Sequence, residues 1–493
     1  MQVALKATRI KVFWSLKAYH TARTHPARRA SFRLSPQRPA TPPPSRPDRP
    51  RSLISSGATG PGTSEDCLVL NVWTPGKDNG KRPVMVWLHG GGFSSGSGGS
   101  PWYDGTHICQ REDVVVVTIN HRLNVFGYCY LDHLSDEFAG SSSAGMLDIT
   151  LALQWVKENI SQFGGDPDRV MIFGESGGGR KTSVMMAFPE AKGLFHRAVV
   201  QSGSALRMDS HDVAAERTHN LFKELGLAQG DIGALQQISM DDLLVASRKA
   251  AHSQYRPVTR TPYLPAHPFD PTASDVNPDV PMMIGTCRSE LSLFMRTDSN
   301  ILALDEDGLQ KMAAGLTSTE QASEVVSTYQ RIYPDADPTE IIYRIGTDRG
   351  YFLDSTIQAA RKSDQSGAPA YYYTFNRRTQ VEGGRYVTPH ASEIPFVLHN
   401  LEEGANIGGA PTPASTQLAD RVSGAWAAFA RTGNPNHSGI PNWPTYDREA
   451  RKSMILDEPE CYIESDPRSE ERKLMLSFGS QQYGELEPTP TGR

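Results

Sequence analysis

A serine set among glycines is the feature of this sequence that points most directly to chemistry. Gly174 to Gly178 reads GESGG, which fits the pattern G-x-S-x-G and directly follows the apolar run Val170 to Phe173. In a sharp strand-to-helix turn the serine hydroxyl is exposed as a nucleophile, and side chains two positions before and after it would collide. A chain with 43 glycines produces the bare pattern easily by chance, so a purely structural turn stays open as the alternative. The strand-like run before Ser176 favours the nucleophile.

A second glycine cluster could supply the hydrogen-bond donors that such a nucleophile needs. His89 to Phe93 reads HGGGF and follows the apolar run Val84 to Leu88. The backbone N–H groups of Gly91 and Gly92, with that of Gly177, could hold the negative oxygen of a tetrahedral acyl-transfer intermediate. A phosphate-binding loop is the competing interpretation, but the lysine and hydroxyl residues of a P-loop are missing. The second motif therefore predicts an oxyanion hole.

The segments around these motifs predict an α/β protein with a mostly parallel sheet. Val84 to Leu88, Val114 to Ile119 and Val170 to Phe173 are short β-branched runs, as expected of strands buried on both faces. Met146 to Ile160 has helical periodicity and lies between two of these strands. Strand, helix and strand alternate, which favours right-handed crossovers. Residues 207–279 read as helix and loop, which predicts an insertion over the sheet.

Composition excludes several classes of function. The chain has 493 residues and a net charge of −5, with a pI near 6.3, so nucleic acid is a poor candidate partner. No apolar run approaches the roughly 20 residues of a membrane-spanning helix. Five scattered cysteines predict reduced thiols, and zinc-type cysteine pairs are missing. Neither a metal nor an organic cofactor is predicted.

The first 62 residues differ from the rest of the chain. Up to residue 55 they are rich in Arg, Lys and Pro, with Asp48 as the one acid, which predicts a poorly ordered, solvated leader. A transit peptide or a phosphate-binding arm is the alternative. Basic residues interrupt every apolar stretch of secretory length, so a signal peptide is not predicted and a cytoplasmic location is favoured.

Six ordered motifs carry a family resemblance. They are SEDCLVLNVWTP (Ser64 to Pro75), HGGGFSSGSG (His89 to Gly98), GESGG, KGLFHRAVVQSGS (Lys192 to Ser204), HASEIPFV (His390 to Val397) and FARTGNPN (Phe429 to Asn436). Together they resemble the type-B carboxylesterase/lipase family, which also contains the cholinesterases. The resemblance implies an α/β-hydrolase catalytic domain over 63–475, helical insertions at about 207–279 and 300–350, and a C-terminal tail over 476–493.

The resemblance also implies the other two members of a catalytic triad. The family histidine precedes a segment ending in E-I-P-F, which selects His390 as the general base, and the family glutamate aligns with Glu290 in GTCRSE. Ser289 stands where the family usually has an aspartate. Glu175 and Ser202 lie in matching motifs, and we expect them to support the structure. The implied activity is hydrolysis of small carboxylic esters through an acyl-enzyme, without a cofactor; the oligomeric state stays open.

The N-terminal part departs from the family pattern. No cysteine precedes Cys67, so the disulfide that the family forms there is not expected, and choline esters are disfavoured as substrates. Codons can be chosen for Trp14 to Thr21 that encode, two bases on, EFKGIPYG, which resembles the missing family segment. One hypothesis is therefore a frameshifted leader. Two alternatives to an enzyme follow, a catalytically silent scaffold protein and an inactive product of a frameshifted gene.

Overall fold

One sheet organises the molecule. The computed structural model describes residues 64–251 and 254–482, together with the backbone of one strand at Thr8–Phe13. Ten strands lie in this sheet, namely β1 (Thr8–Phe13), β2 (Val69–Thr74), β3 (Arg82–Leu88), β4 (Val115–Ile119), β5 (Gly165–Glu175), β6 (Arg197–Gln201), β7 (Met282–Cys287), β8 (Ala370–Phe375), β9 (Lys452–Leu456) and β10 (Tyr462–Ser465). Their order is β1-β2-β4-β3-β5-β6-β7-β8-β9-β10.

The central strands are parallel and the outer ones antiparallel. From β4 to β9 every neighbouring pair is parallel, whereas β1, β2 and β10 run antiparallel to their neighbours. The predicted mostly parallel sheet is confirmed. Strand β5 begins at Gly165, five residues before the predicted run, because Gly165 pairs with Arg82 before the regular pairing starts between Val170 and Val84. Between these two pairs β5 has more residues than β3, so the irregularity is a bulge in β5.

Helices cover both faces of the sheet. Those described are α1 (Thr106–Glu112), α2 (Asn124–Tyr128), α3 (Ala144–Asn159), α4 (Gly177–Met185), α5 (His211–Glu224), α6 (Ile232–Leu235), α7 (Met240–Ala250), α8 (Ser292–Met295), α9 (Ser299–Leu302), α10 (Glu306–Leu316), α11 (Ala322–Ile332), α12 (Pro338–Thr347), α13 (Leu353–Ser363), α14 (Ile394–Val397), α15 (Ala405–Gly408), α16 (Pro413–Thr432) and α17 (Ser469–Leu476). A π-helical turn at Asp348–Phe352 joins α12 to α13. The predicted helix at Met146 to Ile160 corresponds to α3.

The hydrophobic core lies on both faces of the sheet because strand side chains alternate. In β3, Val84, Val86 and Leu88 belong to a cluster that includes residues of α3 and α4. Met85 and Trp87 point the other way, into a cluster that includes residues of α16. The strand is therefore buried on both faces, which is why its sequence is apolar without alternation.

Two stretches of helix and loop lie outside these layers. Residues 207–279, apart from the undescribed 252–253, contain α5 to α7 and the loops between them. Residues 300–350 contain α10 to α12, which pack around a hydrophobic cluster of their own. No helix among the described residues is long and apolar enough to cross a membrane.

The N-terminal segment contributes an edge strand. β1 pairs antiparallel with β2, with Thr8 opposite Thr74 and Phe13 opposite Val69. This strand lies inside the segment 1–62 for which the sequence predicts poor order. The other residues of that segment, including Trp14 to Thr21 of the frameshift hypothesis, lie outside the described residues, as does 483–493 of the tail.

Candidate active site

Ser176 lies on a sharp turn between β5 and α4. Its backbone has φ +57° and ψ −120°, a strained conformation for a residue with a side chain, and its hydroxyl makes no capping hydrogen bond. A Cβ on Gly178 would lie 1.8 Å from the carbonyl oxygen of Leu88 in β3, so the turn needs glycine there. Strand, serine and helix follow one another as the sequence predicts. The turn thus presents a partly exposed hydroxyl at the positive end of a helix dipole.

The glycine loop follows β3 and lies against this turn. Gly91 and Gly92 have φ of +87° and +62°. A Cβ built on Gly177 would lie 2.4 Å from the nitrogen of Gly92, so the two backbones are in contact. Within 64–251 and 254–482, the N–H groups of Gly91, Gly92 and Gly177 donate no hydrogen bond. The structure therefore brings together three amide donors that are free to bind an oxyanion.

His390 and Glu290 lie beyond the carboxyl ends of neighbouring strands. Glu290 follows β7 and His390 follows β8, and both side chains are buried. The Nδ1 of His390 lies 2.5 Å from Oε2 of Glu290. A carboxylate at this nitrogen fixes the imidazole orientation and leaves Nε2 as the nitrogen available for proton transfer. The structure brings these two predicted residues into direct contact.

The carboxylate of Glu290 is itself held by two donors. The hydroxyl of Ser202 donates to its Oε1 at 2.6 Å, and the backbone N–H of Cys287 donates to the same oxygen at 2.7 Å. Ser202 follows β6, the neighbour of β7, so the two side chains meet because their strands are adjacent. These two hydrogen bonds keep the carboxylate of Glu290 oriented toward His390.

The second ring nitrogen of His390 faces Glu175 in this structure. Nε2 lies 3.0 Å from Oε1 of Glu175, but the pair lacks hydrogen-bond geometry, and neither atom has another partner among the described residues. The hydroxyl of Ser176 is accordingly not bonded to Nε2 here. Catalytic hydrogen bonds are often long in unliganded enzymes and tighten in the substrate complex. Ser176 and His390 are therefore at one site without being hydrogen-bonded.

Two buried glutamates face the imidazole of His390 and raise its pKa. Burial by itself lowers that pKa, but Glu175, Tyr351 and Glu290 together outweigh burial and hold the pKa of His390 well above its ordinary value. Glu393 lies nearby, and its burial beside the other two carboxylates raises its pKa to about 7. It accepts hydrogen bonds from Gln201 and from the Cys287 thiol. The motif HASEIPFV contained Glu393, although sequence reasoning did not single it out.

Two aromatic rings flank the imidazole. The ring of Phe294 lies 5.1 Å from that of His390, and the ring of Tyr351 lies 5.2 Å from it. Phe294 is 50% exposed although it is large and apolar. Tyr351 belongs to the π-helical turn, a rare distortion that is frequent at functional sites. The contact of either ring with His390 could not be predicted from a sequence motif, because it depends on how the segment 291–352 packs against the sheet.

Other described features do not point to a second chemistry. A cavity of about 730 Å³, lined by residues that include Arg288, Tyr333 and Arg468, contains none of Ser176, His390 and Glu290 in its lining. Within 64–251 and 254–482, no group of three or more His, Cys, Asp or Glu side chains could hold a metal ion. All five cysteines are described, and all are free.

Comparison with known proteins places the chain in a family. The model of the carboxylesterase family matches residues 25–475. The para-nitrobenzyl esterase of Bacillus subtilis is 35% identical over 87% of this chain and 87% of its own length. The liver carboxylesterase of Sus scrofa is 33% identical over 78% of this chain and 72% of its own length.

Solved structures agree with this assignment. A thermophilic pNB esterase superimposes with a TM-score of 0.74 at 34% identity, covering 87% of each chain. The carboxylesterase EST55 of Geobacillus stearothermophilus gives a TM-score of 0.73 at 37% identity, covering 83% of this chain and 85% of its own. These structures have the α/β-hydrolase fold that the sequence predicts. The chain therefore belongs to the carboxylesterase family and is a serine carboxylesterase.

Proposed function

We propose that Ser176, His390 and Glu290 carry out the ester hydrolysis. Nε2 of His390 takes the proton of the Ser176 hydroxyl while its oxygen bonds to the ester carbonyl carbon. The tetrahedral intermediate collapses, the carbon–oxygen bond to the alcohol breaks, and Nε2 returns the proton to that alcohol. Water then repeats the sequence on the acyl-enzyme and releases the acid. Glu290 orients the imidazole and stabilises its charged form.

The N–H groups of Gly91, Gly92 and Gly177 are the proposed oxyanion donors. They are adjacent, lie beside Ser176 and have no other hydrogen-bond partner among the described residues. One such donor typically contributes about 3 kcal/mol to transition-state stabilisation. The absence of a partner in the described part of the chain matters because a donor that is already paired would not be available to the substrate.

The contact between His390 Nδ1 and Glu290 Oε2 is the observation that carries the proposal. A buried imidazole held at one nitrogen by a carboxylate, beside a strained serine, is the arrangement that acyl transfer requires. Nε2 faces Glu175 in the free protein. The proposed mechanism therefore requires the Ser176 hydroxyl to come within hydrogen-bond reach of Nε2 in the substrate complex.

We infer that the substrates are uncharged esters with an apolar or aromatic group. The half-exposed ring of Phe294 and the ring of Tyr351 provide an apolar surface beside His390. The buried carboxylates of Glu175 and Glu290 beside the imidazole disfavour an anionic group there. A relative is named para-nitrobenzyl esterase, which fits an aromatic alcohol. Replacing Phe294 by Ala should raise KM for 4-nitrobenzyl acetate and leave KM for ethyl acetate unchanged; equal changes for both would contradict this inference.

Replacement of the nucleophile tests the proposal. Ser176→Ala should lower kcat for p-nitrophenyl acetate by about 10⁴-fold or more, with an unchanged urea unfolding curve. Ser142→Ala is the matched control, because Ser142 is buried and its hydroxyl has no hydrogen-bond partner among the described residues; it should keep wild-type turnover. Near-normal turnover in Ser176→Ala would refute the assignment, and a wild-type protein that folds but hydrolyses no ester would favour a silent scaffold.

A further inference from the structure

A buried lysine on the nucleophile helix is not used by the mechanism above. Lys181 in α4 is completely buried, with an exposed fraction of 0%. None of the ion pairs among the described residues includes it. Burying an ammonium without a carboxylate partner is costly. The contacts of Lys181 should therefore explain why a lysine occupies this buried position.

The contact of Lys181 is with the start of the glycine loop. Its Nζ donates a hydrogen bond to the backbone carbonyl of His89 at 3.0 Å, and it lies 5.8 Å from the ring centroid of Phe93. Side chains on a helix point toward its N-terminus, so a lysine one turn beyond Ser176 reaches back past the elbow. Lys181 thus joins the helix that carries the Gly177 donor to the loop that carries Gly91 and Gly92.

The surroundings of this bond are rigid and closely packed. His89 and His121 stack with their rings 4.8 Å apart and 4° from parallel. The Nδ1 of His89 lies 2.9 Å from the carbonyl oxygen of Gly90, and a Cβ on Gly96 would lie 2.3 Å from the same nitrogen. The His89 carbonyl therefore has little freedom to move while it accepts the hydrogen bond from Lys181. The positions of Gly91 and Gly92, which follow in the chain, depend on the position of that carbonyl.

We propose that Lys181 is a positioning residue that fixes the glycine loop against the elbow, so that Gly91, Gly92 and Gly177 converge on one oxyanion. This inference rests on the proposed function of Ser176 and the glycine loop. The hydrogen bonds around Lys181 support this role. Among the described residues, Lys181 Nζ donates to the His89 carbonyl, whereas the Nδ1 atoms of His89 and His121 lie against the carbonyl oxygens of Gly90 and Arg122. Burial and the adjacent Arg180 lower the pKa of Lys181 to about 7, and burial lowers the pKa of His89 to about 3.

Lys181→Met tests the proposal, because methionine has a similar length and volume without the donor. Active sites are first counted by titration with a fluorophosphonate, which separates the turnover of folded enzyme from the amount of it. Per titrated site, kcat for p-nitrophenyl acetate should fall about tenfold or more, with KM within about twofold of wild type. The inhibition constant of a trifluoromethyl ketone, whose serine adduct carries a tetrahedral oxyanion, should rise by the factor by which kcat/KM falls.

Thr182→Val is the matched control on the same helix. Thr182 is buried and its hydroxyl donates to the Gly178 carbonyl within the helix at 3.0 Å, so this variant removes a buried hydrogen bond without touching the loop. It should keep wild-type kcat per site. A folded Lys181→Met with unchanged kcat per site, or one whose ketone affinity is unchanged, would overturn the proposal.

The remaining outcomes are also decisive. If Lys181→Met and Lys181→Gln both fail to accumulate as folded protein, Lys181 supports the fold itself and the positioning assignment is wrong. If the wild-type enzyme is not titrated at Ser176, the proposed function fails instead, and that result is seen before any variant of Lys181 is made.

Discussion

At the residue scale, the imidazole of His390 lies between two carboxylates with different tasks. Glu290 contacts Nδ1 and is fixed by Ser202 and by the Cys287 amide. Glu175 faces Nε2, the nitrogen that exchanges a proton with Ser176 in the proposed mechanism. In that mechanism one carboxylate orients the base, whereas the other stabilises the protonated form of the base and competes with Ser176 for the same nitrogen.

Glu175→Gln should shift the acid limb of the pH–rate profile to lower pH. The carboxylate raises the pKa of His390, so the wild-type base stays protonated and inactive until the pH passes that raised value. Removing the charge lowers the pKa, and the apparent pKa of kcat/KM should fall by about 1 unit or more. Glu190→Gln makes the same charge change at an exposed position and should leave the profile unchanged. An unaltered acid limb in Glu175→Gln would contradict the assigned role.

The sequence predicts those candidate residues that lie in local motifs. Ser176 and the glycines at 91 and 92 have signals that depend only on neighbours along the chain. Family motifs selected His390 and Glu290 as candidates. The bond from Ser202 to Glu290 and that from Lys181 to His89 have no such signal, because each joins segments that are distant in sequence and meet only in the folded protein. The sequence-based expectation for Glu175, structural support, did not include its contact with the base.

At the element scale, the active site is the carboxyl edge of the parallel strands. The glycine loop follows β3, Ser176 follows β5, Ser202 follows β6, Glu290 follows β7 and His390 follows β8. These five strands are consecutive in the sheet. Parallel strands end at the same edge, so residues far apart in sequence meet there. Strand positions were predictable from apolar runs, whereas the start of β5 was not, because a bulge within β5 separates its first pair, Gly165 with Arg82, from the apolar run.

Gly178→Ala should disrupt the turn that joins β5 to α4. The new Cβ would lie 1.8 Å from the Leu88 carbonyl, a backbone atom of a central strand that cannot move freely. We expect a loss of about 3 kcal/mol or more in the free energy of unfolding, measured by urea denaturation. Gly315→Ala is the control, since Gly315 lies in α10 with no atom within 4 Å of the added Cβ; it should be neutral or slightly stabilising. Equal stability of both variants would contradict the packing of the elbow.

At the scale of the whole molecule, one sheet whose central strands are buried on both faces organises the fold. The apolar character of the central strands made this architecture predictable. The sequence predicted poor order for residues 1–62. Within that segment, Ile10 and Val12 alternate with basic residues in Thr8–Phe13, which forms the short strand β1 and pairs with β2. The packing of α10 to α12 around their own cluster was not predictable, because helical periodicity does not tell which surface an amphipathic face will cover.

Trp443→Ala should weaken the fold without altering the chemistry. Trp443 is buried and meets Tyr371 of β8 edge-to-face at 6.3 Å. Truncating such a ring costs about 3–5 kcal/mol of unfolding free energy, whereas kcat per titrated site should stay at the wild-type value. Tyr462→Ala removes a 46% exposed ring and should cost about 1 kcal/mol or less. A large fall in kcat per site for Trp443→Ala would mean that the core and the site are more strongly coupled than the structure indicates.

The central claim is that Ser176 is the nucleophile activated by His390, and covalent labelling tests it most directly. Trypsin cleaves after Arg169 and Arg180 and releases Val170 to Arg180, a peptide in which Ser176 is the one hydroxyl residue. After treatment with a fluorophosphonate, mass spectrometry should find one adduct per chain on this peptide, and His390→Ala should almost abolish it. An adduct on another peptide, or a folded wild-type protein that is not labelled, would contradict the account.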